Sequence, residues 1–456
     1  MNLSFLKNRF ILSRISIGII VVLSYLQTSN LHIWKWGNGV IYWDTISYYA
    51  YLPAIFIHND LSLEFVHDDP RNGNRYWPET TAEGKLVIKT SSGLAYLYFP
   101  FFITAHLLAT PLGFETDGFS EIYQMLLAFS PLLYLLIGLI FLKKILKNYF
   151  SDGVVAITLL GLVLASNLLY YTAVSTISHP YSFGMICLFL YVSIRWIEKP
   201  GYLNSIFMGL LLGIISLIRP TNSLLILFPL LFGIQNFKGF WQRVLLFLKK
   251  PHLTLIIIAG IFLVWMPQFL YWKQQTGHYL FFSYSSGERF FWNDPVILKG
   301  LFGFRKGWLI YSPIMVFSVI GIALSLKNLK DWFLPLIFII PISIYVMLCW
   351  WTWWYGGGFG LRPIIDYYGL LAIPFALTVS QALKLKPVLR YSAVTAFLIF
   401  FYLGVAHHFQ VISGAIHHDS MTWKTYKHNF GHTQMTPEGE KYLVSPDYEK
   451  AKLGER

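Results

Sequence analysis

Apolar residues in this chain come in long runs separated by short basic, aromatic or glycine-rich stretches. Runs over 11–27, 122–142, 153–172, 178–195, 203–218, 222–237, 253–272, 308–326, 332–350, 369–383 and 389–408 reach or approach the length a helix needs to cross a bilayer. No soluble globular chain of this size carries so many, so the pattern predicts an all-α polytopic membrane protein with about eleven spans. Between the runs lie Lys143/Lys144/Lys147, Arg195/Lys199, Lys238/Arg243/Lys249/Lys250, Lys327/Lys330 and Lys384/Lys386/Arg390. Placed together on the cytoplasmic side, these clusters let the spans alternate without conflict.

One apolar run, Gly93–Leu112, is left over. Counted as a span, it would turn every later basic cluster outward. It carries Pro100, His106 and Pro111 and is followed by Glu115, Asp117 and Glu121. A re-entrant or interfacial helix on the outer face is therefore expected, within a first outer loop of about 28–121. The other long outer segments are 273–307 and 351–368, with a turn at 173–177 and a break at 219–221. Residues 1–408 form one transmembrane domain in this reading. Residues 409–456 are an outward-facing tail, polar enough to fold as a small cap or to stay loose.

Composition agrees with the pattern: the chain is 55% hydrophobic and 12% charged. Its net charge of +13 lies in short clusters rather than a stripe, so no nucleic-acid partner is expected. Cys187 and Cys349 sit inside apolar runs and read as core residues. Lys7, Arg9 and Arg14 before the first apolar run give it the look of a signal peptide. No small-x-small cleavage site precedes Gln27, so an uncleaved first helix with a cytoplasmic N-terminus is expected. No internal repeat or soluble domain is evident.

Since the cytoplasmic loops are short, chemistry belongs to the outer ones. In NGVIYWDTISYYAYLPAIFIHN, over 38–59, Asp44 stands just past the first span among Tyr42, Trp43, Tyr48 and Tyr49. Such a stretch is either an aromatic belt with an incidental carboxylate or a base held over the membrane surface. Asp68 and Asp69 before Pro70 read as a solvated turn. Lys89 precedes the Gly93–Leu112 run, either snorkelling or presented to a headgroup. Arg219 interrupts an apolar stretch in LIRPTN, where a helix start with Pro220, Thr221 and Asn222 suits an anion. His179 opens a span beside Pro180 and reads as a substrate contact or a satisfied helix-start residue. The loop SYSSGERFFWNDPVILKGLFGFRKGWLIYSP adds Glu288, Arg289, Arg305 and Lys306. WWTWWYGGGFGLRP joins an aromatic girdle, a glycine run and Arg362. His407, His408, His417, His418, Asp419, His428 and His432 enrich the C-terminal part, in a spacing that fits no familiar metal site. No metal or other cofactor is therefore assigned, a divalent ion being the one candidate.

GxSxG, P-loop, HExxH and CxxC motifs are absent from the sequence. What remains is one interfacial carboxylate with several interfacial cations. Glycoside hydrolysis normally needs two carboxylates, one of them to protonate a poor leaving group. Phosphate leaves without that acid if cations stabilise its charge, and one base then suffices for the attacking hydroxyl.

The order of these features resembles the integral-membrane glycosyltransferases of the C-type (GT-C) fold, which include protein mannosyltransferases and lipid A aminoarabinose transferases. It runs from an Asp after the first span, through a Lys before an aromatic helix, an SHP helix start, LIRPTN and GFRKGWLIYSP, to WWYGGGFGLRP. The resemblance covers most of residues 1–410. It implies Asp44 as catalytic base or acceptor-side acid, Lys89 on a lipid-linked phosphate, and Arg219 as the basic residue at a break between two middle helices. Where many relatives carry a further Asp, this chain has Ser178-His179. The expected function is transfer of a sugar from a polyprenyl-phosphate donor to a lipid, glycan or protein acceptor at the outer face of a bacterial inner membrane. Asp44 is the expected base, and Lys89, Arg219, His179, Arg305, Lys306 and Arg362 the substrate-binding set. A lipid-linked glycan flippase would instead show repeated halves with polar residues at mid-membrane. A non-catalytic assembly subunit of the same fold would tolerate replacement of Asp44.

Overall fold

The computed structural model describes residues 11–81, 83–284 and 287–456; Lys7 and Arg9 lie outside them. The first span is α1, Ile11–Leu31. The first loop then winds through α2 (Asp44–Tyr49), α3 (Tyr51–Phe56) and α4 (Pro70–Tyr76), the last capped by Asp69 with Pro70 in its first turn. A two-residue hairpin, Glu79–Thr80 against Leu86–Val87, leads to α5, Gly93–Ala109. The next helices are α6 (Glu121–Leu146), α7 (Asp152–Leu164), α8 (Asn167–Ala173), α9 (His179–Glu198) and α10 (Tyr202–Ile218). Ser166 caps α8, and α7 and α8 meet at 65° as one broken span.

After Arg219 comes a 3-10 stretch, Pro220–Ile226, continued by α11, Leu227–Leu231. The span expected over 222–237 is thus a shorter helical pair, tightened because Pro220 restarts the chain with i→i+3 bonding. The basic stretch beyond it is itself a helix, α12 (Phe237–Lys249), capped by Asn236 and with none of its residues fully buried. There follow α13 (Pro251–Thr276), α14 (Ile297–Phe302), α15 (Trp308–Tyr311), α16 (Val316–Asn328), α17 (Lys330–Cys349), α18 (Tyr368–Ala382) and α19 (Pro387–Ile412). The tail folds as α20 (Trp423–Asn429), α21 (Pro437–Glu440) and α22 (Tyr448–Leu453), capped by Thr422, Thr436 and Asp447.

Eight helices among the described residues are long and apolar enough to cross a membrane, nine with the broken pair, and three shorter apolar helices accompany them. The Gly93–Leu112 segment is one of the eight by length and composition. Its contacts run along the first half of α6: Tyr134 Oη donates to Leu97 O at 2.7 Å, and His106 Nδ1 meets Tyr123 Oη at 2.6 Å. Gly93 itself packs on the backbone of Leu217 and Ile218, at the end of α10.

Small residues let the helices approach closely, as membrane interiors require. Gly209 of α10 faces Gly260 and Ile257 of α13, and Gly184 of α9 faces the Tyr134 backbone. Cys187 and Cys349 are buried and unpaired. The basic turns gather at one end of the bundle. There Tyr149 packs on Trp332, Trp196 on Phe247, and Gly233 N bonds Asp331 O. The first loop, the break at Arg219, the glycine run and the tail meet at the opposite end.

Candidate functional site

Asp44 starts α2 immediately after Trp43, whose φ of 48° is rare for a bulky residue. Strain of this kind persists only where the surroundings enforce it, and it falls here beside a candidate base. The Asp44 side chain is 48% exposed, and its Oδ2 accepts from an Arg362 terminal nitrogen at 2.5 Å. Arg362 opens the 3-10 turn Arg362–Tyr367 that leads into α18, and it is only 15% exposed. Its Nε is buried without a partner among the described residues.

The pair lines a cavity of about 780 Å³, whose walls include Tyr170, Tyr171, Gly357, His418 and Asp419. One wall is the glycine run. Tyr355, Gly356, Gly358 and Gly360 all have positive φ, at 56°, 66°, 139° and 61°. A Cβ at Gly358 would sit 2.5 Å from Tyr171 Oη, which accepts from Phe359 N at 2.7 Å. Glycine is required here because the backbone turns left-handed against a tyrosine hydroxyl.

Behind the cavity lies Asp366, fully buried. Its Oδ1 is 2.8 Å from His179 Nδ1, and its Oδ2 accepts from Asn222 Nδ2 at 2.7 Å, with Arg219 Nε at 3.6 Å. Two separate stretches, the start of α9 and the break after α10, thus converge on one carboxylate carried by the approach to α18. A buried charge needs such partners. Arg219 also stands over the Tyr355 ring at 5.8 Å. Tyr48 lies in the field of Arg219, Asp44 and Arg362; burial raises its pKa, with Arg219 pulling the other way.

The remaining cations are committed elsewhere. Lys89 sits between Glu288 at 3.0 Å and Glu79 at 3.1 Å, beside the Tyr284 ring at 5.5 Å. Burial works against its charge, but Glu288 and Glu79 outweigh it and raise its pKa above the ordinary lysine value. Lys306 is buried and donates to the carbonyls of Gly358 (2.6 Å) and His418. Burial, with Arg362 nearby, pushes its pKa well down. Arg305 donates to Asp419 O at 2.7 Å and lines a smaller cavity of about 320 Å³ with Trp354 and Arg456.

Of the residues singled out in the sequence, Asp44 and Arg362 therefore share the large cavity. His179 and Arg219 meet on Asp366 behind it, and Lys89, Arg305 and Lys306 hold its surroundings. Asp366 was missed, although an acid inside the apolar RPIIDYYGLL is a signal in its own right. Tyr48 was noted as part of the frame of Asp44, whereas Tyr284 and Tyr355 were hidden among other aromatics.

No family model and no curated protein matches the chain. Among solved structures it is similar to the oligosaccharyltransferase of Archaeoglobus fulgidus in its apo form, with a TM-score of 0.50 and 13% identity over 98% of this chain and 61% of that one. It is also similar to archaeal oligosaccharyltransferase AglB from Archaeoglobus fulgidus, solved with an inhibitory peptide and a dolichol-phosphate. That match has a TM-score of 0.50 and 12% identity over 95% of this chain and 60% of that one. At such identities the likeness is one of fold, and this chain spans less than two thirds of either structure. The fold is GT-C-like: an all-α polytopic membrane protein.

Proposed function

We propose that this chain is a membrane glycosyltransferase that moves a sugar from a polyprenyl-phosphate donor to a hydroxyl of a lipid, glycan or protein acceptor. The reaction takes place at the outer face of a membrane, the bacterial inner membrane in this reading. One observation carries the proposal: a half-exposed carboxylate, Asp44, held by a buried arginine with a spare donor, Arg362, in the wall of a large cavity. The opposite end of the bundle holds the basic turns, which fits a cavity opening away from the cytoplasm.

Arg362 binds a phosphate oxygen of the donor through its unused N–H, and that contact loosens its hold on Asp44. Asp44 then takes the proton of the acceptor hydroxyl as its oxygen attacks the anomeric carbon. The carbon–oxygen bond to phosphate breaks, its electron pair leaves on the phosphate, and Arg362 stabilises the new charge. Arg219 contributes positive field from behind Tyr355, its charge balanced by Asp366. The fold shared with oligosaccharyltransferases supports the same reading. Its test is transfer in vitro, with radiolabelled polyprenyl-phosphate sugars and a panel of acceptors. Transfer from at least one donor is expected, and its absence across the panel would refute the proposal.

A further inference from the structure

We propose that His417, His418 and Asp419 form a divalent-cation site in the cavity wall, one that takes a first-row ion such as Zn²⁺, Mn²⁺ or Co²⁺ and offers it to an anionic oxygen. His417 Nδ1 lies 3.3 Å from Asp419 Oδ1, and His418 Nε2 lies 3.7 Å from the same oxygen. All three ligand atoms fall within 4.8 Å of one another. An ion bonded tetrahedrally to N and O ligands holds them about 3.4 Å apart, so small side-chain adjustments close the site. Two imidazoles and a carboxylate are a common set for such ions, and three protein ligands leave a position open.

The surroundings are built for it. Ser420 Oγ donates to Asp419 Oδ1 at 2.7 Å, orienting the carboxylate as outer-shell partners do. The N–H groups of Asp419 and Ser420 approach His417 Nδ1 at 3.4 and 3.2 Å, so that nitrogen carries a lone pair, which an ion would take in place of these two long contacts. The backbone is fixed from outside the cluster. His418 O accepts from Gly358 N at 3.1 Å and from Lys306, and Asp419 O accepts from Arg305 at 2.7 Å. A Cβ at Gly357 would lie 3.2 Å from the His418 ring, so the glycine leaves that imidazole room.

His418 and Asp419 line the same cavity as Asp44 and Arg362. Arg305 and Lys306 are engaged by backbone carbonyls, so an ion held by the tail would add positive charge to that cavity beside Arg362. Resting on the function proposed above, the ion's open position takes an oxygen of the donor phosphate and shares its developing charge with Arg362.

The test uses the full-length protein in detergent, stripped with a chelator and titrated with Co²⁺ while its visible d–d absorption is followed. One saturable equivalent, displaced by Zn²⁺, is expected for the unaltered protein and for Asp44→Asn. His418→Ala and Asp419→Asn should each weaken binding beyond the roughly 10–100-fold that loss of an outer-shell partner costs. Their metal-free melting curves should match the unaltered protein's, and His417→Gln serves as a third variant. Absence of saturable Co²⁺ binding, or equal binding by the His418→Ala/Asp419→Asn double variant, overturns the site. The affinity of a polyprenyl-phosphate sugar, measured with and without Zn²⁺, tests the phosphate role separately. A donor that binds equally well in both refutes that role, whereas the function proposed above fails on transfer, not on metal binding.

Discussion

Asp44 and Arg362 hold each other at 2.5 Å, so each sets what the other can do. Asp44→Asn keeps the shape but cannot accept a proton. Transfer should fall about 10²–10⁴-fold, the usual worth of a general base, with donor affinity nearly unchanged. Arg362→Ala should weaken donor binding and turnover together, because its guanidinium meets phosphate before and during bond cleavage. Wild-type transfer by Asp44→Asn would remove the mechanism. The buried cluster behind should answer differently. Asp366→Ala leaves Arg219 and His179 facing a void, and should cost about 3–5 kcal/mol of stability. Arg219→Ala removes a partner at 3.6 Å that is partly exposed, and should cost about 1–3 kcal/mol. Melting curves in detergent for both variants check that ranking, and an unchanged Asp366→Ala melt would contradict it.

Among the helices, α5 is the one whose membrane position decides the architecture of the first loop. It pairs with Tyr123 and Tyr134 of α6 and with Leu217 and Ile218 at the end of α10. A helix lying against one half of the bundle should leave both its flanks on the same side. Cysteines introduced at Thr90 and Thr116 should therefore both react with an impermeant thiol reagent from outside. Labelling of either one from the cytoplasm alone would make α5 a true span and reverse the orientation of one flank. Apolar run length made the long helices legible, since bilayer thickness acts on every span alike. It misjudged the piece after Arg219, where Pro220 imposes local geometry that periodicity does not carry. It also passed over α12, whose basic residues Lys238, Arg243 and Lys249 read as a cytoplasmic loop. The site was legible as far as charges stand out against apolar sequence, as Asp44, Arg219 and Arg362 do. Which cation faces which carboxylate was not, because Asp44 and Arg362 are 318 residues apart and only packing joins them.

At the scale of the whole molecule, the tail and the glycine run behave as one wall because Lys306 bonds carbonyls on both. Lys306→Met fills the same space but strands Gly358 O and leaves His418 O with Gly358 N as its remaining donor. Limited proteolysis of this variant should cut within 409–456 markedly faster than in the unaltered protein, and equal rates would show the wall to be held by other contacts. The Asp366 cluster carries a different consequence, for biogenesis. His179 and Asn222 leave the ribosome 187 and 144 residues ahead of the carboxylate they bond. At roughly 5–20 residues per second, α9 and α10 therefore wait on the order of ten seconds for their polar partner. Until it arrives, Arg219 lacks the buried carboxylate that faces it in the folded bundle. Synthesis of Asp366 is therefore the step that supplies the polar centre on which the start of α9 and the break after α10 meet.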